Sequence, residues 1–151
     1  MSRGFAAIGI VNTKTRQNLG TLWRSANLYD AAFIFTVGAR YSHQASDTMH
    51  TDRHIPLFHF DDLDDLRRHL PMGCPLVGVE MDARSEPLSS FVHPERACYL
   101  LGAEDHGLSQ DEMDACHQLV QIETARPWSL NVAVAGSLLL HDRFVSQKAQ
   151  S

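Results

Sequence analysis

FAAIGIVNTKTRQNLGTLWRSANLY, residues 5 to 29, sets a run of apolar residues ahead of a polar turn and then a helical period. Phe5 to Val11 reads as a β-strand. From Asn18 to Tyr29, Leu19, Leu22, Trp23 and Ala26 recur on one face, which predicts a helix with Asn18 as its cap. The alternation continues outward from this unit. Strands are expected over 33–37, 55–58, 75–80, 97–101 and 119–122, and helices over 61–70, after Ser109 and over 130–144. Ser109 and Glu112 make a capping-box pattern. Such alternation implies an α/β fold, a mostly parallel sheet flanked by helices, with its site beyond the carboxyl ends of the strands.

The 151 residues fit a single domain, 1–151. Cys74, Cys98 and Cys116 are odd in number and lack a CxxC pair, which favours reduced thiols over a disulfide frame or a zinc site. The N-terminus reads as a first strand rather than a signal peptide, and no stretch reaches the ~20 apolar residues that span a bilayer. A soluble, cytoplasmic protein without membrane contact is expected. His50 and His54 have i, i+4 spacing but no third ligand, so no metal is expected. The net charge of −5 excludes a global basic footprint for nucleic acid, so any RNA contact must be local.

Three loops carry chemistry. In NLGTLWR (18–24), the missing side chain of Gly20 leaves room for Arg24 to reach back toward the helix start, where an anionic ligand would fit. An ordinary cap beside a surface arginine is the competing reading. In YLLGAEDHGLSQDE (99–112), a buried strand ends at Gly102, where bare backbone admits a ligand. Glu104 could accept hydrogen bonds or anchor the loop. The chain has neither a GxGxxG nor a GxxxxGK[ST] phosphate cradle, so a nucleotide-like ligand here would lack a pyrophosphate. In RPWSLNVAVAGSLLLHDR (126–143), the helix is apolar nearly all round, which implies burial on several sides, part of it by a second subunit. Ser129 and Asn131 stand at its mouth, as simple caps or as ligand contacts. Trp128 beside them suits base stacking or core packing equally.

In this order, N-x-G-x-x-x-R at Asn18, Gly20 and Arg24, G-x-E-x-x-G-L from Gly102 to Leu108 and S-L-N-V-x-V-A from Ser129 to Ala135 resemble the signature of the SpoU (TrmH-like) branch of the SPOUT methyltransferase superfamily. The resemblance implies an S-adenosylmethionine-dependent enzyme that methylates a ribose 2′-hydroxyl of RNA, tRNA in preference to rRNA. It also implies a C-terminal deep trefoil knot and a homodimer through the first and last helices. The expected catalytic group is Asn18, Arg24, Glu104, Ser129 and Asn131, with Arg24 meeting the partner's cofactor. The cofactor is expected against backbone groups of Val79, Gly102, Ile122 and Leu130, with Ser129. RNA is expected at Arg16, Arg24, Arg40, Arg53 and Arg126.

Family accounts sometimes make this arginine a general base. A guanidinium deprotonates only above pH ~12, so phosphate grip and charge stabilisation suit it better. His141 falls near a position where related enzymes carry an aromatic residue, and reads as a satisfied histidine. Two alternatives stand beside this reading. One is a catalytically inactive RNA-binding or ribosome-associated protein of the same fold, and the other an unrelated nucleotide-binding domain.

Overall fold

The computed structural model describes residues 4–38 and 55–150. The elements run β1 (Phe5–Val11), α1 (Arg16–Leu28), β2 (Phe33–Val37), β3 (Leu57–Phe60), α2 (Leu63–Arg68), β4 (Leu76–Val79), β5 (Glu86–Pro87), a 3-10 turn (Leu88–Ser90), β6 (Arg96–Leu101), α3 (Gln110–Asp114), β7 (Gln118–Gln121) and α4 (Val132–Ala149). The seven strands form one sheet in the order β3-β2-β1-β6-β4-β7-β5. Every neighbouring pair is parallel, with Ile8 opposite Ile34 on one side and Tyr99 on the other.

Alternation along β1 divides the core into two halves, because successive side chains point to opposite faces. Ala6, Ile8 and Ile10 pack with Leu19, Leu22, Trp23 and Ala26 of α1 and Ala133, Leu139 and Leu140 of α4. Ala7 and Val11 pack the other way, with Phe35, Leu66 of α2, Leu100 and Met113 of α3. The α1 face is the one its period predicts. Gly136 lets α1 and α4 close on each other, since a Cβ there would lie 2.5 Å from Leu22 Cδ1. Ser25 and Ser137 hydroxyls meet across the same contact at 2.6 Å. These small residues of α4 therefore serve a neighbour within the chain. Val134, Leu138, Phe144 and Val145 remain exposed.

The differences from expectation have local causes. α1 begins at Arg16, two residues early, because Thr15 rather than Asn18 caps it: the Thr15 hydroxyl accepts from Asn18 N. β3 starts at Leu57 rather than 55, since Pro56 has no N–H for the ladder and contributes only its carbonyl to Ile34 N. α4 begins after Asn131, whose side chain accepts from Ala133 and Val134 N, and runs to Ala149 through polar residues that carry no apolar period. β5 is two exposed residues, too short to show a pattern. The capping box of α3 forms as read, with Ser109 and Glu112 satisfying each other's N–H groups. His50 and His54 lie outside the described residues.

Candidate active site

Just past the carboxyl ends of β4, β6 and β7, the loops that follow them and the start of α1 enclose a cleft of about 500 Å³. The five positions expected at the cofactor, Val79, Gly102, Ile122, Ser129 and Leu130, all line it, and so do Asn18, Glu104 and Asn131. Residues up to 113 positions apart in sequence thus share one wall.

Glu104 is the hub. Its carboxylate accepts from Lys14 N at 3.0 Å, Asn18 Nδ2 at 3.1 Å, Thr13 Oγ1 at 3.3 Å and Thr15 Oγ1 at 3.4 Å. Partial burial pushes its pKa up. Hydrogen bonds from its own N–H, from Asn18 and from the Lys14 and Thr15 backbone outweigh that, and the carboxyl lies below its ordinary value. Of the two readings of the start of α1, a seat for an external anion or an ordinary cap beside a surface arginine, the first meets an internal carboxylate already in place.

Asn18, relieved of capping by Thr15, carries the network onward. Its Oδ1 accepts from Asn131 Nδ2 at 3.0 Å, and Asn131 Oδ1 caps α4. One line of hydrogen bonds therefore joins the β6 loop, α1 and α4, and it fixes which way each amide points. Asn131 thus caps α4 and also lines the cleft. Ser129 lines the cleft with a hydroxyl that makes no hydrogen bond to any described residue, which leaves it free for a ligand.

The loop's own backbone also requires the two glycines of the β6 loop. A Cβ on Gly102 would lie 2.3 Å from Gly107 C and 2.4 Å from Leu108 N, so the loop folds back onto it. Gly107 has a φ of +65°, where side chains are strained, and a Cβ there would strike Glu80 Oε2. The turn closes with Gly107 N donating to Ala103 O at 2.8 Å. Glu80 then holds it, accepting from Leu108 N at 2.7 Å and Met81 N at 3.1 Å.

Sequence reasoning missed Glu80, Thr13, Thr15 and His106. A carboxylate placed directly after a buried strand was the available signal for Glu80. The donors around Glu104 come from a loop about 90 residues away, which no local pattern reveals.

Arg24 is not brought into the cleft. It sits on the exposed side of α1, six residues and about 9 Å along the axis from Asn18, with no hydrogen bond or ion pair among the described residues. Arg16 and Arg126 are likewise exposed, and Arg40 and Arg53 lie outside the described residues. Trp128 is 73% exposed, which removes the core-packing reading. Trp23 is the tryptophan of the core, its Nε1–H donating to Ile55 O at 3.1 Å. His141 is exposed and meets Tyr29 edge-on.

The lining has the chemistry of a site for a cationic ligand with an apolar body. Val79, Leu101, Ile122, Leu130, Val132 and Ala135 form its apolar side, and Glu80, Glu104 and Asp105 are acidic. Among the described residues no lysine or arginine lines it, so they offer a phosphate no countercharge there. A sulfonium donor fits that lining; a pyrophosphate does not.

Comparison with known proteins points the same way. The model of the SpoU rRNA Methylase family matches residues 6–141. The chain is 28% identical over 150 residues to the mouse (Mus musculus) tRNA (guanosine(18)-2′-O)-methyltransferase TARBP1, covering 93% of this chain and 9% of that protein. It therefore spans under a tenth of that relative's length. A structure of an AdoMet-bound rRNA methyltransferase from Sinorhizobium meliloti superposes with a TM-score of 0.80 at 25% identity, covering 93% of this chain and 56% of that one. A structure described as giving insights into the 2-OH methylation of C/U34 on tRNA superposes with a TM-score of 0.82 at 19% identity, covering 97% and 99% of the two chains.

Proposed function

Because the chain belongs to the SpoU rRNA Methylase family, we propose that it transfers a methyl group from S-adenosylmethionine to a ribose 2′-hydroxyl of RNA. One observation carries the reading. Three motifs separated by most of the chain, Asn18, Gly102–Glu104 and Ser129–Asn131, meet at a single cleft whose lining is apolar and acidic. Within this proposal residues 1–151 act as one catalytic domain of the knotted SPOUT type, in the cytoplasm, and the substrate is tRNA, the class on which the mouse relative acts by name.

Backbone groups of Val79, Gly102, Ile122 and Leu130, with the Ser129 hydroxyl, hold the cofactor. When bound, it supplies a methyl group already activated by positive sulfur. The chain's own task is alignment and charge. Asn18 and Asn131, oriented by Glu104 and by the start of α4, present their remaining N–H bonds at the cleft wall. Arg24 grips the phosphate beside the target ribose and stabilises charge building on its oxygen.

For Arg24 to do this it must serve a neighbouring copy's cleft, since it lies outside its own. The apolar stripe of Val134, Leu138 and Val145 on α4, with Leu28 at the end of α1, supports a homodimer through these two helices. Arg16 and Arg126 contribute local positive charge for RNA, as do Arg40 and Arg53 in the same proposal. No metal enters this account. Among the described residues no helix is long and apolar enough to cross a membrane.

The test is methyl transfer itself. Purified protein, labelled S-adenosylmethionine and total tRNA or rRNA should yield ribose-methylated nucleotides by mass spectrometry. Arg24→Lys should lower the rate at least tenfold, because the planar fork is lost while the charge is kept. Cofactor binding without transfer to either RNA class would favour the inactive RNA-binding reading. Undiminished transfer by Arg24→Lys would refute the fork.

A further inference from the structure

Moving a methyl group onto a ribose hydroxyl requires a destination for the hydroxyl proton, and the five residues above provide none. Guanidinium, amide and serine side chains are not bases near neutral pH. Glu104 is committed to four donors and held below its ordinary pKa. Four titratable side chains line the cleft: Glu80, Glu104, Asp105 and His106. Glu80 is engaged with the Leu108 and Met81 N–H groups, which fasten the loop.

His106 differs from the other three. Its side chain is 80% exposed at the mouth of the cleft, and its Nε2 lies 3.4 Å from Asp105 Oδ2. An imidazole is the side chain whose free form titrates nearest neutrality, at about 6.5, so it can take a proton and return it to solvent. The loop that carries it is pinned on both sides, by the Gly107 N to Ala103 O bond and by Glu80. A rigid loop can hold a base in a fixed place. The other titratable groups that line the cleft with it are Asp105, Glu80 and Glu104, all acidic.

We propose that His106 is the proton acceptor of the transfer, resting on the reading of the cleft as a ribose 2′-O-methyltransferase site. The ribose O–H bond breaks and its proton passes to the imidazole. The oxygen forms its new bond to the methyl carbon, and the electron pair of the broken carbon–sulfur bond stays on sulfur. The protonated imidazole, exposed to water, then loses its proton to solvent.

The experiment is a pH–rate profile with saturating S-adenosylmethionine for the full chain and for His106→Gln and His106→Ala, beside calorimetric affinity for the cofactor. The wild-type rate should fall on acidification along a limb set by imidazole titration. Both variants should lose about a hundredfold in kcat together with that limb, within the usual range for general-base catalysis. They should bind the cofactor within twofold of the wild type. Added imidazole should restore part of the rate to His106→Ala. A His106→Gln enzyme with wild-type kcat and an unchanged pH profile would overturn the proposal while leaving the methyltransferase reading intact. A wild-type protein that transfers no methyl group would overturn that reading and this proposal together.

Discussion

Two charged side chains fasten the centre of this molecule at opposite ends of the sheet, and they do so in opposite ways. Beyond the carboxyl ends of the strands, Glu104 gathers four donors from α1 and the loop before it, at the wall of an open cleft. At the amino ends, Arg143 is only 5% exposed. It donates to Pro94 O and Glu95 O at 2.7 Å each, to Tyr99 Oη at 3.0 Å and to Phe5 O at 3.4 Å. His93 lies beside it, 2.7 Å from Tyr99 Oη and 2.6 Å from Asp142 Oδ2. Burial lifts Tyr99 to about 12 despite Arg143, and burial pushes His93 below its ordinary value despite Asp142. Every guanidinium contact at that end is internal, so the network stabilises the fold. The Glu104 network ends at Asn131 and the start of α4, on the wall of the cleft where the three motifs meet.

That contrast predicts separable effects. The largest is Arg143→Met, which takes one donor from three carbonyls and a phenol. It should cost about 3 kcal/mol, as expected for loss of hydrogen bonds to a buried charge, and lower Tm by about 10 °C. Cofactor affinity of the folded fraction, measured by calorimetry, should stay unchanged. A large loss of affinity would join the two ends and break the contrast.

Glu104→Gln should do the reverse. The network is half-exposed, so we expect about 1 kcal/mol of stability lost at neutral pH. Cofactor affinity should fall at least tenfold, because Asn18 and Asn131 lose their orientation. The folded pKa is depressed, so this stabilisation is complete above the unfolded value near 4.5 and disappears as pH falls through the folded value. Urea denaturation of wild type and variant should therefore differ at pH 7 and converge toward pH 3.

The end at the amino termini of the strands has its own, higher window. His93 is also depressed, so its contribution is present above about 6.5, the ordinary value, and declines as acidification charges a buried imidazole. Replacing it by Asn should flatten the dependence of stability on pH between 8 and 5. An unchanged slope would remove His93 from the account. The smallest effect is Trp128→Ala. It should leave Tm unaltered and raise KM for RNA a few-fold, with Trp128→Phe restoring it, since base stacking on an exposed ring is worth about 1–3 kcal/mol at most.

Much of the fold was legible because its signals are local. The apolar run of β1, the period of Leu19, Leu22, Trp23 and Ala26, and the Ser109–Glu112 box each declare an element within a dozen residues. Site membership was legible for a different reason. The three motifs have recognisable order, and the five positions expected at the cofactor line one cleft. The roles inside that cleft were not. Asn18 was read as a cap because a polar residue before an apolar face usually is one, yet Thr15 takes that duty and frees it. The reading of Gly102 as bare backbone for a ligand omits its second duty, since the loop's own backbone folds onto it, and Gly107 answers to a positive φ and to Glu80. Glu104's partners and the Arg143 network join residues from about 44 to 138 positions apart, and no periodicity reports contacts of that span.

Calorimetric titration of S-adenosylmethionine into the wild-type chain and into Leu130→Arg tests the central claim most directly. That substitution fills the cleft with a charge of the same sign as the sulfonium. We predict one site per chain in the wild type and at least tenfold weaker binding in the variant, with the thermal unfolding of the two proteins alike. No binding to the wild type, or equal binding to both, would contradict the assignment of this cleft.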